Sequence, residues 1–478
     1  MSQTTVTPVA FLVRGKWLEE GTPIELRAPY DRSVIAHVCQ GTRKHAEAAI
    51  DAAVRAFEVT RKLPAYERQR VLRHVADGIA QRREEFARTI AREAGKPIKI
   101  ARVEVDRAAF TFQVAAEEST RIYGEYLPLD WQEFTKGRFG IVRRFPLGPV
   151  SAITPFNFPL NLVAHKVAPA IAAGCTMVLK PAPQTPLSAL ILAELVQEAG
   201  WPEGALNVLP LSNEDAEVLV TDDRLKLISF TGSAAVGWHI KSRAGKKKVV
   251  LELGGNAAVI VHSDAELAYA AERCTAGGFS YAGQTCISVQ RILVQRSVIS
   301  HFTDMLVEKV QRLKVGDPLD DTVDVGPLIR ESDAVRSEQW IQEAVSGGAK
   351  LLIGGHRKGS IVEPTVLTET KPEMRVNCQE VFAPVVTVEP YDDFDEALRR
   401  ANDTPYGLQA GVFTRDAMRL FHAFEELEVG GVMAGDVPSF RIDNMPYGGI
   451  KESGLGREGL RYAIEDMTEP RLLVMNLR

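Results

Sequence analysis

The middle of the chain alternates short, apolar, β-prone runs with helical segments, and this alternation limits the possible folds more than any other feature of the sequence. Strands that alternate with helices are typical of βαβ units and of a largely parallel sheet. A helix is predicted over 186–200, because its apolar pattern ends at Gly200 and Pro202 follows. We therefore predict an α/β fold. The strand-like runs are VSAIT (150–154), TMVLK (176–180), ALNVLP (205–210), LKLISF (225–230) and KVVLEL (248–253).

The regions on either side of this alternation extend the same plan. Residues 43–95 have apolar residues at three- and four-residue spacing, which predicts helices. A second αβ region runs from about 264 to 430 and contains the strand-like run VVTVEPY at 385–391. A chain of 478 residues is too long for one hydrophobic core, so two or three structural units are expected.

Two segments differ from this plan. Residues 126–148 are predicted to form a projecting hairpin with its turn at Lys136 and Gly137. The carboxyl-terminal run PRLLVMNLR (470–478) is an apolar, strand-like tail. A lone strand leaves its hydrogen-bonding groups unpaired, so we expect this tail to join a sheet within the chain or in another subunit.

The composition argues against several classes of function. The formal net charge of -5 supplies no broad basic face for a nucleic acid. The longest apolar stretch, residues 167–179, is too short to span a bilayer, and residues 1–17 lack the pattern of a secretory signal. We therefore expect a cytoplasmic protein that binds neither nucleic acid nor membrane.

Five cysteines without a C-x-x-C pair argue against a disulfide framework and against a zinc site, so no metal is expected. Most free cysteines are buried small hydrophobes. Cys286 has a different neighbourhood, because SYAGQTCISVQR (280–291) consists largely of small and polar residues. That setting could give a nucleophilic thiol access and hydrogen-bond donors, although a buried structural thiol is the alternative interpretation.

Four polar residues lie at or just past the ends of predicted strands: Asn157, Lys180, Ser233 and Glu252. Ligands bind at the carboxyl ends of strands in open parallel sheets, so these residues could meet in one crevice. Each has an ordinary alternative. Asn157 could bond its own backbone in a turn, and Glu252 could bind a backbone amide or face water.

The run FTGSAAVGWHI (230–240) is a strand end, a glycine-containing turn and a helix start. Gly232 and Gly237 would allow close backbone approach, and a helix amino terminus suits a pyrophosphate. The run lacks the G-x-G-x-x-G fingerprint, and a simple turn is the commoner interpretation of such a pattern.

Taken together, eight motifs in order closely resemble the aldehyde dehydrogenase superfamily and span most of the chain. Accidental similarity over eight ordered motifs is very improbable. The motifs are TPFNFPLNLVAHK (154–166), VLKPAPQTP (178–186), FTGSAAVG (230–237), LELGG (251–255), GQTCIS (283–288), EVFAPVV (380–386), PYGL (405–408) and PYGGIKESGLGREG (446–459).

The resemblance implies a subunit of three parts. A cofactor-binding domain with a Rossmann-like parallel sheet would comprise 1–122 and 147–254, and a catalytic α/β domain would comprise 255–452. A small β oligomerisation element would comprise 123–146 and 468–478. A tail strand that extends a neighbour's sheet implies a homodimer or a homotetramer.

The resemblance also implies the chemistry. The Cys286 thiolate would attack an aldehyde, while the amide of Asn157 and the Cys286 backbone N–H stabilise the oxyanion. The cofactor is expected to be NAD or NADP, whose nicotinamide takes the hydride. Glu252 would activate the water that hydrolyses the thioester, and relatives that transfer the acyl group to coenzyme A lack this glutamate. Lys166 and Glu458 match positions implicated in proton relay.

Further positions match the family's cofactor contacts. Lys180 would bond the adenosine ribose and Ser233 the pyrophosphate. Glu380 would bind the nicotinamide ribose, and Phe382 would contact the nicotinamide ring. Pro183 stands where relatives that prefer NAD⁺ often carry a glutamate, so a barrier to the 2′-phosphate of NADP⁺ is absent, and use of both cofactors is predicted.

The residues of these motifs resemble most the family branch that contains lactaldehyde, glyceraldehyde-type and semialdehyde dehydrogenases. Relatives that act on phosphorylated or phosphonate aldehydes tend to carry Arg and Tyr at the positions of Thr285 and Phe158, so a phosphorylated substrate is disfavoured. The expected substrate is a small neutral or hydroxylated aldehyde such as lactaldehyde.

Two rival hypotheses stay open from the sequence. Arg441 could bind the carboxylate of a semialdehyde such as succinic semialdehyde, although an exposed loop arginine is the commoner interpretation. The chain could also be a non-catalytic scaffold protein. Drift of that kind usually removes the nucleophile or the base first, and both Cys286 and Glu252 are present.

Overall fold

The computed structural model describes residues 8–477. Residues 1–7, the beginning of the 1–17 segment that lacks the pattern of a secretory signal, lie outside the described residues. Residue 478, at the end of the predicted tail, also lies outside them. The described helices are α1 (Arg43–Thr60), α2 (Ala65–Gln81), α3 (Arg83–Ala94), α4 (Ile98–Glu118), α5 (Asn161–Ala173), α6 (Leu187–Glu198), α7 (Glu217–Thr221), α8 (Ala234–Arg243), α9 (Leu267–Phe279), α10 (Ile299–Gln311), α11 (Glu331–Ser346), α12 (Arg375–Cys378), α13 (Phe394–Asn402), α14 (Ala417–Glu426) and α15 (Leu460–Asp466), with short 3₁₀ turns at Glu133–Thr135 and Ser280–Gly283.

The strands follow the predicted alternation through the middle of the chain. They are β1 (Phe11–Val13), β2 (Lys16–Leu18), β3 (Thr22–Arg27), β4 (Val34–Gln40), β5 (Glu125–Pro128), β6 (Arg138–Pro146), β7 (Pro149–Ile153), β8 (Thr176–Lys180), β9 (Leu206–Val208), β10 (Leu227–Thr231), β11 (Lys248–Glu252), β12 (Ala257–Val261), β13 (Val289–Gln295), β14 (Lys350–Ile353), β15 (Arg357–Lys358), β16 (Ile361–Val362), β17 (Thr365–Thr368), β18 (Val385–Tyr391), β19 (Tyr406–Gly407), β20 (Gln409–Phe413), β21 (Gly431–Ala434), β22 (Ile450–Lys451), β23 (Gly454–Leu455) and β24 (Thr468–Asn476).

The first of the two large sheets has eight strands, in the order β2-β1-β9-β8-β7-β10-β11-β23. The five predicted runs are its strands β7 to β11, which are parallel to one another. Strands β7, β8 and β10 are almost entirely buried, because helices cover the sheet, and α5 is buried along its whole length. Near-continuous apolar strands are what such a doubly covered parallel sheet requires. The α/β fold class is confirmed.

The carboxyl ends of four of these strands lie in register. Ile153 at the end of β7 pairs with Lys180 at the end of β8 and with Phe230 in β10. Thr231 pairs with Glu252 at the end of β11. The carboxyl ends of β7, β8, β10 and β11, where the polar candidate residues were predicted, therefore lie along one edge of the sheet.

The second large sheet has seven strands, in the order β14-β17-β18-β13-β12-β20-β21. All neighbouring pairs except β14 and β17 are parallel, and helices such as α9, α10 and α11 pack a separate hydrophobic core against it. Cys286 lies just before β13, and Glu380 lies just before β18. Both residues thus enter the structure where a strand of the second sheet begins.

The predicted hairpin and tail form one small sheet, in the order β24-β6-β5. Strand β24 pairs with β6 along its entire length, from Thr468 opposite Pro146 to Asn476 opposite Arg138. The tail therefore joins a sheet within the chain, as one of the two predicted arrangements required. Its other edge is unpaired among residues 8–477, and its exposed apolar side chains are those of Leu472, Leu473, Val474 and Met475.

None of the helices within residues 8–477 is long and apolar enough to cross a membrane.

Candidate active site

The loop before Cys286 has an unusual backbone. Tyr281, Ala282 and Gly283 all have positive φ angles, of 50°, 52° and 70°. A Cβ on Gly283 would lie 2.2 Å from the carbonyl oxygen of Ala383, so only glycine fits there. Successive non-glycine residues in this region are strained, and such strain persists where the surroundings fix the conformation. The strained turn sets the direction in which Cys286 leaves the loop.

The thiol of Cys286 is only partly accessible, and its Sγ lies 2.9 Å from the hydroxyl of Tyr447. Burial raises the pKa of the Cys286 thiol, and the bond to Tyr447 and the charge of Arg441 act against that rise. Cys39, Cys175 and Cys274 are fully buried. They are structural thiols, as expected for most of the five cysteines.

Asn157 reaches the same loop from the first sheet. Its side chain is buried, and its Nδ2 donates a hydrogen bond of 3.0 Å to the carbonyl of Gln284, two residues before Cys286. The second N–H of this amide has no acceptor within residues 8–477. The Cys286 backbone N–H is likewise without an acceptor in the described chain. Two donors without an acceptor in residues 8–477 therefore lie close to the Cys286 loop, one on Asn157 and one on Cys286 itself.

Glu252 is buried at the end of β11, and neither of its carboxylate oxygens has a hydrogen-bond partner in the described part of the chain. A Cβ on Gly448 would lie 3.0 Å from Glu252 Oε1, so this glycine, the neighbour of Tyr447, leaves room for the carboxylate. Burial, reinforced by the nearby charge of Glu458, raises the pKa of Glu252 well above its usual range. An unpartnered buried carboxyl with a raised pKa is suited to accept a proton.

A second buried carboxylate, Glu458, has the opposite environment. Lys166 Nζ lies 3.3 Å from Glu458 Oε1 and donates a 2.9 Å bond to the hydroxyl of Ser229. Arg441 Nη2 donates a 2.9 Å bond to Glu458 Oε2. Burial alone would raise the pKa of Glu458, but the charges of Lys166, His165 and Arg441 outweigh it and lower the pKa to about 2. Glu458 is thus held ionised beside Glu252.

Arg441 does not lie on an exposed loop, and that interpretation of the sequence is wrong. Its side chain is only 7% exposed, because Glu458 pairs with it and its guanidinium stacks 3.6 Å from the ring centroid of Tyr447. The buried Nε of Arg441 has no hydrogen-bond acceptor within residues 8–477. A cation with a free donor therefore lies one tyrosine ring away from the thiol.

The candidate cofactor residues lie along the edge where the parallel strands end. Lys180 is buried without a side-chain partner in the described chain, and burial lowers its pKa to about 8. Ser233 precedes the amino terminus of α8, and the buried hydroxyl of Thr231 nearby has no partner among residues 8–477. A cation, a helix amino terminus and free hydroxyl groups fit the ribose and pyrophosphate of a dinucleotide.

Glu380 and Phe382 approach this edge from the second sheet. Glu380 Oε1 accepts a 2.9 Å hydrogen bond from the backbone N–H of Gly255, just past β11, and burial raises its pKa to about 7. Phe382 has a strained φ of 52°, and its ring meets the ring of Phe156 edge-on at 6.1 Å. Both residues therefore lie against segments that follow the ends of β7 and β11.

The two glycines of the 230–240 run have a packing reason of their own. A Cβ on Gly237 would lie 2.3 Å from the side chain of Leu253, and one on Gly232 would lie 2.5 Å from the ring of Phe230. Gly237 thus allows α8 to pack against the sheet. This packing is sufficient to account for glycine at both positions. The contact of Gly232 and Gly237 with a cofactor stays a prediction.

Comparisons with known proteins agree with this arrangement. The profile of the aldehyde dehydrogenase family matches residues 17–473. The chain belongs to the aldehyde dehydrogenase family. It is accordingly an NAD(P)⁺-dependent aldehyde oxidoreductase, as the motifs predicted.

Three relatives of this aldehyde dehydrogenase illustrate the range of similarity. It is 45% identical to 3-sulfolactaldehyde dehydrogenase of Priestia aryabhattai, over all of both chains. It is 48% identical to aldehyde dehydrogenase 21 of Physcomitrella patens, solved with the reaction product succinate, with a TM-score of 0.97 over 99% of each chain. It is 41% identical to the glyceraldehyde-3-phosphate dehydrogenase GapN of Methanocaldococcus jannaschii, solved with NADP, with a TM-score of 0.92 over 95% of this chain and 99% of that one.

Sequence reasoning missed a buried ion pair that supports the segment after Asn157 in this aldehyde dehydrogenase. Lys96 and Glu104 pair with each other and are both fully buried. Glu104 Oε1 accepts the backbone N–H groups of Leu160 and Asn161, at 3.0 and 3.1 Å, where the chain enters α5 just after Asn157. Glu104 lies within α4 and Lys96 lies just before it, and neither belongs to a recognisable motif, so no pattern in the sequence pointed to them.

The enzyme also contains a buried cluster behind Arg441 that the sequence did not reveal. Asp443 accepts hydrogen bonds from Arg107, at 2.7 and 3.1 Å, and lies 2.7 Å from His165 Nε2. Burial and the charge of Arg441 lower the pKa of His165, while its bond to Asp443 acts in the opposite direction. The cluster fixes the 441–447 segment, and Asp443 is 278 and 336 residues away in sequence from its partners His165 and Arg107.

Proposed function

We propose that this aldehyde dehydrogenase oxidises a short aldehyde that carries an acidic group, with Cys286 as nucleophile, and releases the free carboxylic acid. The observation that supports Cys286 as the nucleophile most strongly is a series of contacts that connects it with Asn157 and with Glu252. Asn157 bonds the loop of Cys286 at 3.0 Å, and Glu252 lies against Gly448, next to the Tyr447 that contacts the thiol.

In the first step the Cys286 thiolate adds to the aldehyde carbon, and the carbonyl oxygen becomes an oxyanion. The free N–H of the Asn157 amide and the backbone N–H of Cys286 are the donors that stabilise this charge. Preorganised donors of this kind are often the largest single contribution to such catalysis. The bond from Asn157 to Gln284 keeps the amide in place, so no reorganisation is needed during the reaction.

A bound nicotinamide supplies the hydride acceptor that turns the thiohemiacetal on Cys286 into a thioester. Four residues of this chain would hold the cofactor. Lys180 and Ser233 suit the adenosine ribose and the pyrophosphate, and Glu380 and Phe382 suit the nicotinamide ribose and ring. A division of labour between the two sheets follows, with cofactor binding by 1–122 and 147–254 and catalysis by 255–452.

The thioester is then hydrolysed by a water that Glu252 deprotonates. A carboxylate with a raised pKa is a stronger base than an ordinary one, and burial together with Glu458 supplies that rise. Lys166 and Glu458 form the ionised pair beside it and offer a route by which the proton leaves. The free acid is the product, because Glu252 delivers water to the acyl group.

Arg441 is the residue that favours an acidic substrate. Its guanidinium lies one tyrosine ring from Cys286, and its buried Nε has no hydrogen-bond acceptor within residues 8–477, with Asp443 Oδ1 at 4.0 Å from it. A carboxylate or sulfonate at the far end of a short aldehyde could accept that donor while the carbonyl carbon meets the thiol. The relatives named for 3-sulfolactaldehyde and solved with succinate act on or bind molecules of this shape.

The neutral or hydroxylated aldehyde predicted from the motifs remains the second candidate. Glu458 already pairs with Arg441 at 2.9 Å and offsets much of its charge. A hydroxyl group could therefore take the place of the acidic group at little cost. Lactaldehyde is the simplest substrate of this kind.

The test of the proposed function is a spectrophotometric assay of nicotinamide reduction with five aldehydes and both cofactors. The aldehydes are succinic semialdehyde, 3-sulfolactaldehyde, lactaldehyde, glyceraldehyde 3-phosphate and benzaldehyde. We expect succinic semialdehyde and 3-sulfolactaldehyde to have the highest kcat/KM. We expect the values for NAD⁺ and NADP⁺ to agree within about tenfold, because Pro183 places no carboxylate against the 2′-phosphate. Strict selectivity for NAD⁺ would refute the cofactor prediction.

The same assay tests the nucleophile. Cys286→Ala should abolish turnover of every aldehyde, since no other accessible thiol lies beside the two free donors. Cys378→Ala is the matched control, because Cys378 is also partly accessible but lies outside the pocket. Residual turnover by Cys286→Ala, or an equal loss in Cys378→Ala, would contradict the assignment.

Arg441→Gln separates the two substrate candidates. We expect kcat/KM to fall roughly 10- to 100-fold further for succinic semialdehyde and 3-sulfolactaldehyde than for lactaldehyde, because only the acidic substrates lose a charged hydrogen bond. Arg296→Gln is the control, since Arg296 pairs with Asp392 on the surface. An equal loss for all aldehydes would leave the neutral aldehyde as the better candidate.

We also propose that the enzyme assembles as a homodimer or homotetramer through the free edge of β24. A second copy that paired with this edge would cover Leu472, Leu473 and Val474, which are exposed here. Light scattering should give the native enzyme a mass of at least two 52.5 kDa chains, and Leu473→Lys should lower it. Leu351→Lys on β14 is the control at another exposed position. A single-chain mass for the native enzyme would contradict this proposal.

A further inference from the structure

Tyr447 contacts the sulfur of Cys286, and its place in the family motif does not account for this contact. Within residues 8–477 its hydroxyl is the sole hydrogen-bond partner of Cys286 Sγ, at 2.9 Å. Its ring is buried and packs with Ile287 and Leu408 in a small apolar cluster that Cys286 also touches. The hydroxyl is therefore fixed against the sulfur by packing.

Three charged residues, which lie on different segments of the chain, act on the Cys286 thiol. Glu252 at the end of β11 and Glu380 before β18 both disfavour a negative charge on Cys286. Arg441 favours it, and its guanidinium stacks on the face of the Tyr447 ring at 3.6 Å. Glu458 holds Arg441 there through a 2.9 Å hydrogen bond.

We propose that Tyr447 is a further catalytic residue, whose phenolic O–H stabilises the Cys286 thiolate, and that the stacked Arg441 strengthens this donor. The proposal rests on the assignment of Cys286 as the nucleophile. A cation over the ring face draws electron density from the phenol and makes its O–H a better donor. Hydrogen bonds to an ionised acceptor are roughly twice as strong as those between neutral groups, so the contact stabilises the thiolate more than the thiol.

The proton balance is simple. The Cys286 S–H bond breaks and its proton passes to water, while the O–H bond of Tyr447 stays intact. Burial and the neighbouring thiol charge keep the pKa of Tyr447 well above its ordinary value, so the donor is not lost as pH rises. When the new C–S bond forms, the negative charge moves from sulfur to the carbonyl oxygen, and Asn157 takes over its stabilisation.

Tyr447 and Asn157 would stabilise negative charge at different stages of the reaction. Tyr447 acts on the sulfur before attack, and Asn157 acts on the oxygen after it. A loss of Tyr447 should therefore lower the fraction of thiolate at neutral pH, and it should leave the stabilisation of the oxyanion in place. These two effects differ in their dependence on pH.

The test measures the thiolate directly, without any aldehyde. The rate of alkylation of Cys286 by iodoacetamide is followed against pH, with the modified peptide quantified by mass spectrometry. Tyr447→Phe removes only the hydroxyl, and we expect the midpoint of its profile to rise by about one pH unit, which lowers the thiolate fraction about tenfold below the midpoint. Tyr269→Phe is the matched control, because Tyr269 is exposed and lies away from the pocket.

A kinetic measurement distinguishes this role from a structural one. For Tyr447→Phe, kcat/KM should fall about tenfold at neutral pH and recover as pH rises through the new midpoint, since a fully formed thiolate no longer needs the donor. A merely distorted pocket would stay impaired at every pH. Should Tyr447→Phe not fold, Arg441→Gln provides the second variant, and its alkylation midpoint should also rise.

An unchanged or lowered midpoint in Tyr447→Phe would overturn the proposal, as would an equal rise in Tyr269→Phe. If Tyr447→Phe does not fold, an unchanged midpoint in Arg441→Gln would overturn it as well. These readouts are independent of the substrate. A failure of the five-aldehyde assay would reject the proposed acidic substrate while the alkylation profile still decided the role of Tyr447.

Discussion

The hydrogen bond from Asn157 to the carbonyl of Gln284 is the contact on which the site depends, because it joins the segment after β7 of the first sheet to the nucleophile loop of the second. The bond from Gly255 to Glu380 fixes the segment by which the chain passes from β11 of the first sheet to β12 of the second. Two sheets with separate cores could otherwise shift relative to each other. Because a displacement of about 1 Å at a reacting centre can cost on the order of a hundredfold in rate, these short bonds matter more for catalysis than for stability.

Two buried carboxyl groups beside the thiol show how burial and charge assign different tasks to the same functional group. Glu252 has no partner among residues 8–477, so its pKa rises, whereas Glu458 lies between Lys166 and Arg441, so its pKa falls. Environments that push the pKa values of two neighbouring acids apart are a general means of separating a base from a fixed charge. The ionised Glu458 in turn raises the pKa of Glu252, so the pair acts as a unit.

The sequence predicted the parts of the fold that depend on local pattern. Strands β7 to β11 were recognisable because apolar runs alternate with helices, and their parallel register then brings Lys180 and Glu252 to one edge. The tail strand was predicted to join a sheet, but its pairing with β6 could not be chosen over pairing with another subunit, since both satisfy the backbone. Contacts between distant, motif-free residues were beyond reach. Glu104 capping α5 and Asp443 binding His165 are examples, and Arg441 was misjudged because its burial depends on Glu458 and Tyr447. Tyr447 lies inside a quoted motif, yet its contact with Cys286 depends on how the two loops meet in space.

The central claim is that the thiol of Cys286, the amide of Asn157 and the carboxylate of Glu252 serve one reaction in one pocket. A pre-steady-state burst experiment with Glu252→Gln tests it most directly, because the change preserves shape but removes the base. We predict a burst of one reduced nicotinamide per subunit followed by very slow turnover, with the acyl group found on the Cys286 peptide by mass spectrometry. Undiminished steady-state turnover, or an acyl group on another cysteine, would contradict the account.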